Sequence, residues 1–94
     1  MIWTWDRYKA ERNLAKHKVS FDLAARVFGD PYHQSRPDPY PGEARWQTIG
    51  LPYALSSVLV LVVHTEIDEN GNGRIISARK ATAHERKAYE KGQF

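Results

Sequence analysis

The 94-residue chain has no cysteine. Neither a disulfide nor a thiolate metal site can form, which fits a reducing cytoplasm. Long apolar runs are missing as well. The longest aliphatic stretch, Val58 to Val63, is far short of the ~20 residues that span a bilayer, and it suits a buried strand. The opening Met-Ile-Trp-Thr-Trp-Asp lacks the basic and apolar regions of a signal peptide. No glycine-rich phosphate loop precedes a helix, and no Gly-x-Ser-x-Gly elbow occurs. His84-Glu85 begins like a zinc-protease helix, but Ala88 stands where the second histidine would be needed. Four scattered histidines do not make a metal site, and no cofactor is expected. There are no internal repeats and no linker.

What is present points to one folded domain over residues 1–94 with a modest core. Three tryptophans and the apolar share argue against disorder. The net charge of +3 hides an asymmetry. Residues 1–20 hold five cations and two acids, residues 21–70 three and seven, and residues 71–94 six and two. If the two basic ends meet, they form one positive face suited to a polyanion; otherwise the charges are a mixed solvated surface.

Ile2 to Trp5 reads as a short strand, and Asp6 as the N-cap of a helix from Arg7 to about His17. Lys9, Arg12, Asn13 and Lys16 share one face of that helix, with His17 at its end. Ser20 caps a second helix, whose apolar side is Phe21, Ala24, Ala25 and Phe28, and Gly29-Asp30-Pro31 ends it. Pro37, Pro39 and Pro41 exclude a central strand nearby, leaving room for an edge strand over Tyr32 to Arg36. Glu43 to Ile49 alternates, with Glu43, Arg45 and Gln47 on one face. Ser57 to Thr65 is a central strand. Asn70-Gly71-Asn72-Gly73 is a hairpin turn, and Arg74 to Arg79 the returning strand. Thr82 and Glu85 form a capping box for a last helix to about Lys91. The expected class is α+β: two N-terminal helices on an antiparallel sheet, with a C-terminal helix.

The densest chemistry lies at the final strand-to-helix junction. RNA can be cleaved without metal when its 2′-hydroxyl attacks the adjacent phosphodiester. Such a site needs a base, cations for the phosphorane charge, and an acid for the 5′-oxygen. Glu43 is a candidate base, or else a surface carboxylate paired with Arg45. Arg45 and Arg79 are candidate phosphate clamps, or else exposed strand cations. Lys80 and His84 lie near a helix N-terminus that attracts phosphate, with His84 the candidate acid or a residue without a role. Lys9, Lys16, Arg74 and Tyr89 are candidate substrate contacts, although a tyrosine in such a place is more often a core or rim aromatic. Strict alternation puts Arg79 with Ile75 and Ser77, and Arg74 on the opposite face, unless a bulge intervenes. The expected centre is therefore Arg79 through His84, facing Glu43 and Arg45.

Three marks in order carry a family resemblance. The first is Trp5-Asp6-x-x-Lys9-x-x-x-Asn13-x-x-Lys16-His17, followed by Val19-Ser20-Phe21, Ala24 and Val27-Phe28-x-Asp30. The second is Gly42-Glu43-x-Arg45 with Ile49-Gly50, and the third runs from Arg74 to Ala81, then His84-Glu85-Arg86 and Tyr89. The chain resembles the BrnT toxins, the RelE-like ribonuclease half of type II toxin–antitoxin pairs. The resemblance implies a RelE-like fold, RNA cleavage that stops translation, and a BrnA-like antitoxin with a ribbon-helix-helix part. It also implies two toxins with two antitoxins, contacting operator DNA only through the antitoxin. One departure is Lys18, where the family usually has a left-handed glycine, at a cost up to about 1 kcal/mol. The alternatives are a non-catalytic toxin-fold module serving as antitoxin partner, and a nucleic-acid-binding domain, for which no recognition-helix motif is seen.

Overall fold

Capping and alternation produce the elements in the expected order in this computed structural model, which describes residues 2–94. They are β1 (Ile2–Thr4), α1 (Arg7–His17), α2 (Phe21–Ala25), a 3-10 turn (Arg26–Gly29), β2 (Gln34–Pro37), β3 (Arg45–Gly50), β4 (Val60–Thr65), β5 (Asn72–Lys80) and α3 (Ala83–Glu90). Sheet order is β1-β5-β4-β3-β2. The β2-β3-β4-β5 pairings are antiparallel, but β1 runs parallel to β5. The sheet is therefore mixed, not antiparallel. The departure follows from the first connection: α1 leaves β1 and packs along β5, so β1 lies beside the start of β5 in the same direction.

Local chemistry accounts for most element ends. Ser20 accepts from the Leu23 amide, and Thr82 and Glu85 complete their capping box. Asp6 stands at the N-cap of α1 but makes no side-chain cap bond. Helix α1 ends on Lys18 at φ 61°, ψ 26°, so the left-handed turn survives with lysine in it. The hairpin turn uses the Asp68 carboxylate, which accepts from the Asn70 and Asn72 amides.

The main core joins α2 to one face of the sheet through Phe21, Ala24, Val27, Val60, Val62, Ile75 and Ala78. Trp3 stacks on Phe28 and lies over Gly73, where a Cβ would meet its ring at 2.5 Å. Asn13 is buried on α1 and acts as a piece of strand against the free edge of β5. Its Nδ2 donates to the Ala78 carbonyl at 2.8 Å and its Oδ1 accepts from the Ala78 amide at 3.1 Å. The same Nδ2 also donates to the Val19 carbonyl at 3.0 Å. Helix α3 lies across one end of the opposite face, where Ile49 and Leu61 are buried. The Tyr89 carbonyl and the Phe94 amide both bond Gln34 of β2.

Candidate functional site

The polar residues gather on the sheet face that carries α3. Cross-strand pairs define it: Arg36 opposite Gln47, Gln47 opposite Val63, Val63 opposite Ser77, and Leu61 opposite Arg79. Arg45 belongs to it through its pairing with Thr65. Arg74 joins them because β5 is bulged. Ser77 pairs with Val63 while Ile75 pairs with His64, so Ile76 is one residue too many for the ladder. Ile75 and Ala78, on either side of the bulge, both point to the buried core. Arg74 and Arg79 therefore share a face, and the opposite-face expectation from strict alternation is corrected.

Two charge clusters form on this face. In the first, Glu43 Oε1 accepts from Arg45 Nε at 3.0 Å and from Arg74 Nη2 at 2.8 Å. Glu43 lies in the loop before β3, which starts at Arg45 and not at Glu43 as expected. The Tyr40 ring covers the Arg45 guanidinium at 3.7 Å. The hydrogen bond from Arg45, with Arg74 beside it, holds the Glu43 carboxyl below its usual range. In the second, the Arg79 guanidinium forks onto Glu85, Nη1 to Oε1 at 2.8 Å and Nη2 to Oε2 at 2.9 Å. Arg36 approaches the same carboxylate at 3.9 Å. The Arg79 fork, helped by the Thr82 amide, pulls the Glu85 carboxyl down to about 2, and Glu85 in turn raises Arg79. The arginine expected to clamp a phosphate thus already holds a carboxylate.

The sequence-predicted residues divide between these clusters and three other places. Glu43, Arg45 and Arg74 are together. Arg79 lies roughly 15 Å along β5 from Arg74 at strand spacing. Lys80 and His84 are exposed beyond Arg79, with no side-chain hydrogen bond or ion pair among the described residues, and His84 is not brought to Glu43. Tyr89 points elsewhere: its hydroxyl donates to Asp30 Oδ2 at 2.5 Å, and burial together with that carboxylate raises its pKa well above the usual value. Burial pushes Asp30 up, but bonds from Tyr89 and the Leu51 and Tyr32 amides outweigh it and leave it low. Lys9 and Lys16 line a groove of about 350 Å³ with Arg12, His17, Ile76 and Ser77, opening beside the bulge. Among the described residues, no three His, Cys, Asp or Glu side chains are placed to hold a metal. No helix among them is long and apolar enough to cross a membrane.

Sequence reasoning missed three members of this face. Glu85 reads as a cap residue, which it is, but its carboxylate also takes the Arg79 fork. Arg36 and Tyr40 sit in the proline-rich stretch, where no periodicity signals a partner.

A family model described as "Ribonuclease toxin, BrnT, of type II toxin-antitoxin system" matches residues 5–85. The chain belongs to that family, which makes it a ribonuclease toxin by class, with an antitoxin as its partner. No curated protein matches it.

Proposed function

We propose that this toxin is an endoribonuclease that cleaves RNA by 2′-hydroxyl attack, without a metal, and so stops translation. The observation that carries the reading is the Glu43 carboxylate held between Arg45 and Arg74 on a face that bears two further arginines, Arg36 and Arg79. A phosphodiester offers guanidinium the same two-oxygen geometry as a carboxylate, with more charge on the phosphorane. Binding of the scissile phosphate to Arg45 and Arg74 displaces Glu43. Relieved of its cations, Glu43 becomes a better base. It removes the 2′-hydroxyl proton, the 2′-oxygen bonds to phosphorus, and the bond to the 5′-oxygen breaks. The Tyr40 hydroxyl, on the ring stacked over Arg45, supplies the leaving oxygen with its proton. The products are a 2′,3′-cyclic phosphate and a 5′-hydroxyl.

The remaining sequence-predicted residues hold flanking RNA. Arg79, Lys80 and His84 take a phosphate about two nucleotides from the cut, and Lys9 and Lys16 extend the track. Tyr89 fixes α3 rather than touching substrate. We also assign the chain a RelE-like architecture and a cytoplasmic location. Its partner is a BrnA-like antitoxin in a 2:2 complex that reaches operator DNA only through the antitoxin. A second reading, the non-catalytic partner module, is favoured by the carboxylate already seated on each arginine cluster. One experiment separates the two: purified toxin incubated with RNA in EDTA. The catalytic reading expects cyclic-phosphate ends, abolished by Glu43→Gln and by Arg45→Ala. Intact RNA, with antitoxin binding preserved, leaves only the module.

A further inference from the structure

The opposite face of the sheet has a second recess at the same end as Glu43. It has a volume of about 300 Å³ and is lined by Ser35, Trp46, His64, Glu66 and Ile67. Trp46 follows Arg45 in the chain, and Glu66 follows Thr65, which pairs with Arg45. The two sites are thus back to back across the end of β3 and β4.

Apart from the Trp46 indole N–H, the polar groups it presents are acceptors. His64 is buried edge-on against the stacked Trp3 and Phe28 rings, and burial lowers its pKa, leaving a neutral ring. Its Nδ1 lies 2.8 Å from the Thr65 carbonyl, which can only accept, so Nδ1 carries the proton. Nε2 then accepts from the Thr48 hydroxyl at 2.6 Å, and Thr48 accepts from Ser35 at 2.7 Å. The Ser35 proton is therefore committed inward, and its oxygen presents lone pairs to the recess. Glu66 is an exposed carboxylate with no ion-pair partner among the described residues, touched only by the Trp46 indole N–H at 3.4 Å. An aromatic wall beside two acceptors selects a planar group with adjacent N–H donors. Among RNA bases only guanine places two donors, N1–H and N2–H₂, side by side on its pairing edge. The size, at the small end of ligand pockets, fits one ring system.

We infer that this recess is a guanine-binding subsite, in which the base stacks on Trp46 and donates to Glu66 and Ser35. The inference rests on the proposed RNA substrate: a strand rounding the sheet end puts a phosphate on Arg45 and Arg74 and a neighbouring base against Trp46. Its test needs no cleavage, so it stands or falls separately from the catalytic reading. Guanosine, inosine and adenosine monophosphates are titrated into the protein while the Trp46 indole N–H resonance, assigned with Trp46→Phe, is followed by NMR. The expected result is a shift of that resonance with guanosine monophosphate binding about tenfold or more tighter than the other two. Glu66→Gln should remove the preference, and Ser35→Ala should reduce it. Equal binding of the three nucleotides, or a preference that survives Glu66→Gln, overturns the assignment. So does tighter binding of argininamide, which would make the recess a guanidinium site.

Discussion

Asn13→Ala tests how the candidate face is held. The Asn13 side chain makes three hydrogen bonds, two to Ala78 and one to Val19. Its loss strands two carbonyls and one amide in a buried seam between α1 and β5. At about 1 kcal/mol net for each bond, the expected destabilisation is about 3 kcal/mol. For a chain of 94 residues that lowers Tm by roughly 12–24 °C. Urea and thermal unfolding followed by circular dichroism measure the loss, and hydrogen exchange at the Ala78 amide locates it. Asn13→Asp keeps the acceptor for the Ala78 amide but sets an oxygen against two carbonyls, so it should cost at least as much at neutral pH. Because Ala78 lies between Ser77 and Arg79, surviving activity in either variant should fall further than the unfolded fraction explains. A loss below about 0.5 kcal/mol with unchanged Ala78 protection would refute the idea that this amide serves as a strand edge.

Three further outcomes follow from the geometry. Lys18→Gly relieves a left-handed residue and should stabilise by about 0.5 kcal/mol after the added freedom of unfolded glycine is subtracted, raising Tm by roughly 2–4 °C; a lower Tm would show that the lysine side chain contributes more than its backbone costs. Glu85, at about 2 when folded against an ordinary 4.5, stabilises above pH 4.5 and loses that contribution as pH falls toward 2. Arg79 is 38% exposed, so the contribution is on the order of 2 kcal/mol after solvent screening. Glu85→Gln should flatten the acid-unfolding profile in that window, and an unchanged profile would place the acid sensitivity elsewhere. Arg74→Ala should lower kcat/KM at least as much as Arg79→Ala, because of these two arginines Arg74 is the one that touches Glu43; the reverse order would move the chemistry to the helix end.

Much of the fold was legible because local chemistry decides it. The Thr82–Glu85 box and the Ser20 cap each satisfy their backbone groups within a few residues, and the structure shows both. The hairpin turn is there too, but it closes on Asp68 to Gly71, and Asn72 and Gly73, expected in the turn, already belong to β5. The parallel β1 was not legible, since strand direction depends on where a helix packs and not on the strand's own three residues. The same holds for the candidate face. Period two is a rule for an unbroken ladder, and a single residue, Ile76, reverses its result for every position before it. Glu43 and Arg45 are close in sequence, and their contact was foreseeable. The Arg74 partner required the bulge, and the Glu85 fork required the rotation of α3 onto the sheet. Family motifs located residues without saying which of them meet.

The edges of the sheet bear on how this protein behaves in company. On one side, β1 covers the start of β5, and the Asn13 amide satisfies Ala78 further along. A second chain seeking to add a strand there finds the first positions taken and a helix in its path. On the other side, β2 is four residues long and ends in Pro37, which has no amide to offer. Pro39 and Pro41 follow within the same exit. A toxin must stay folded and separate until its antitoxin is gone. This sheet offers strand-by-strand polymerisation only two short edges, three residues of β1 and four of β2.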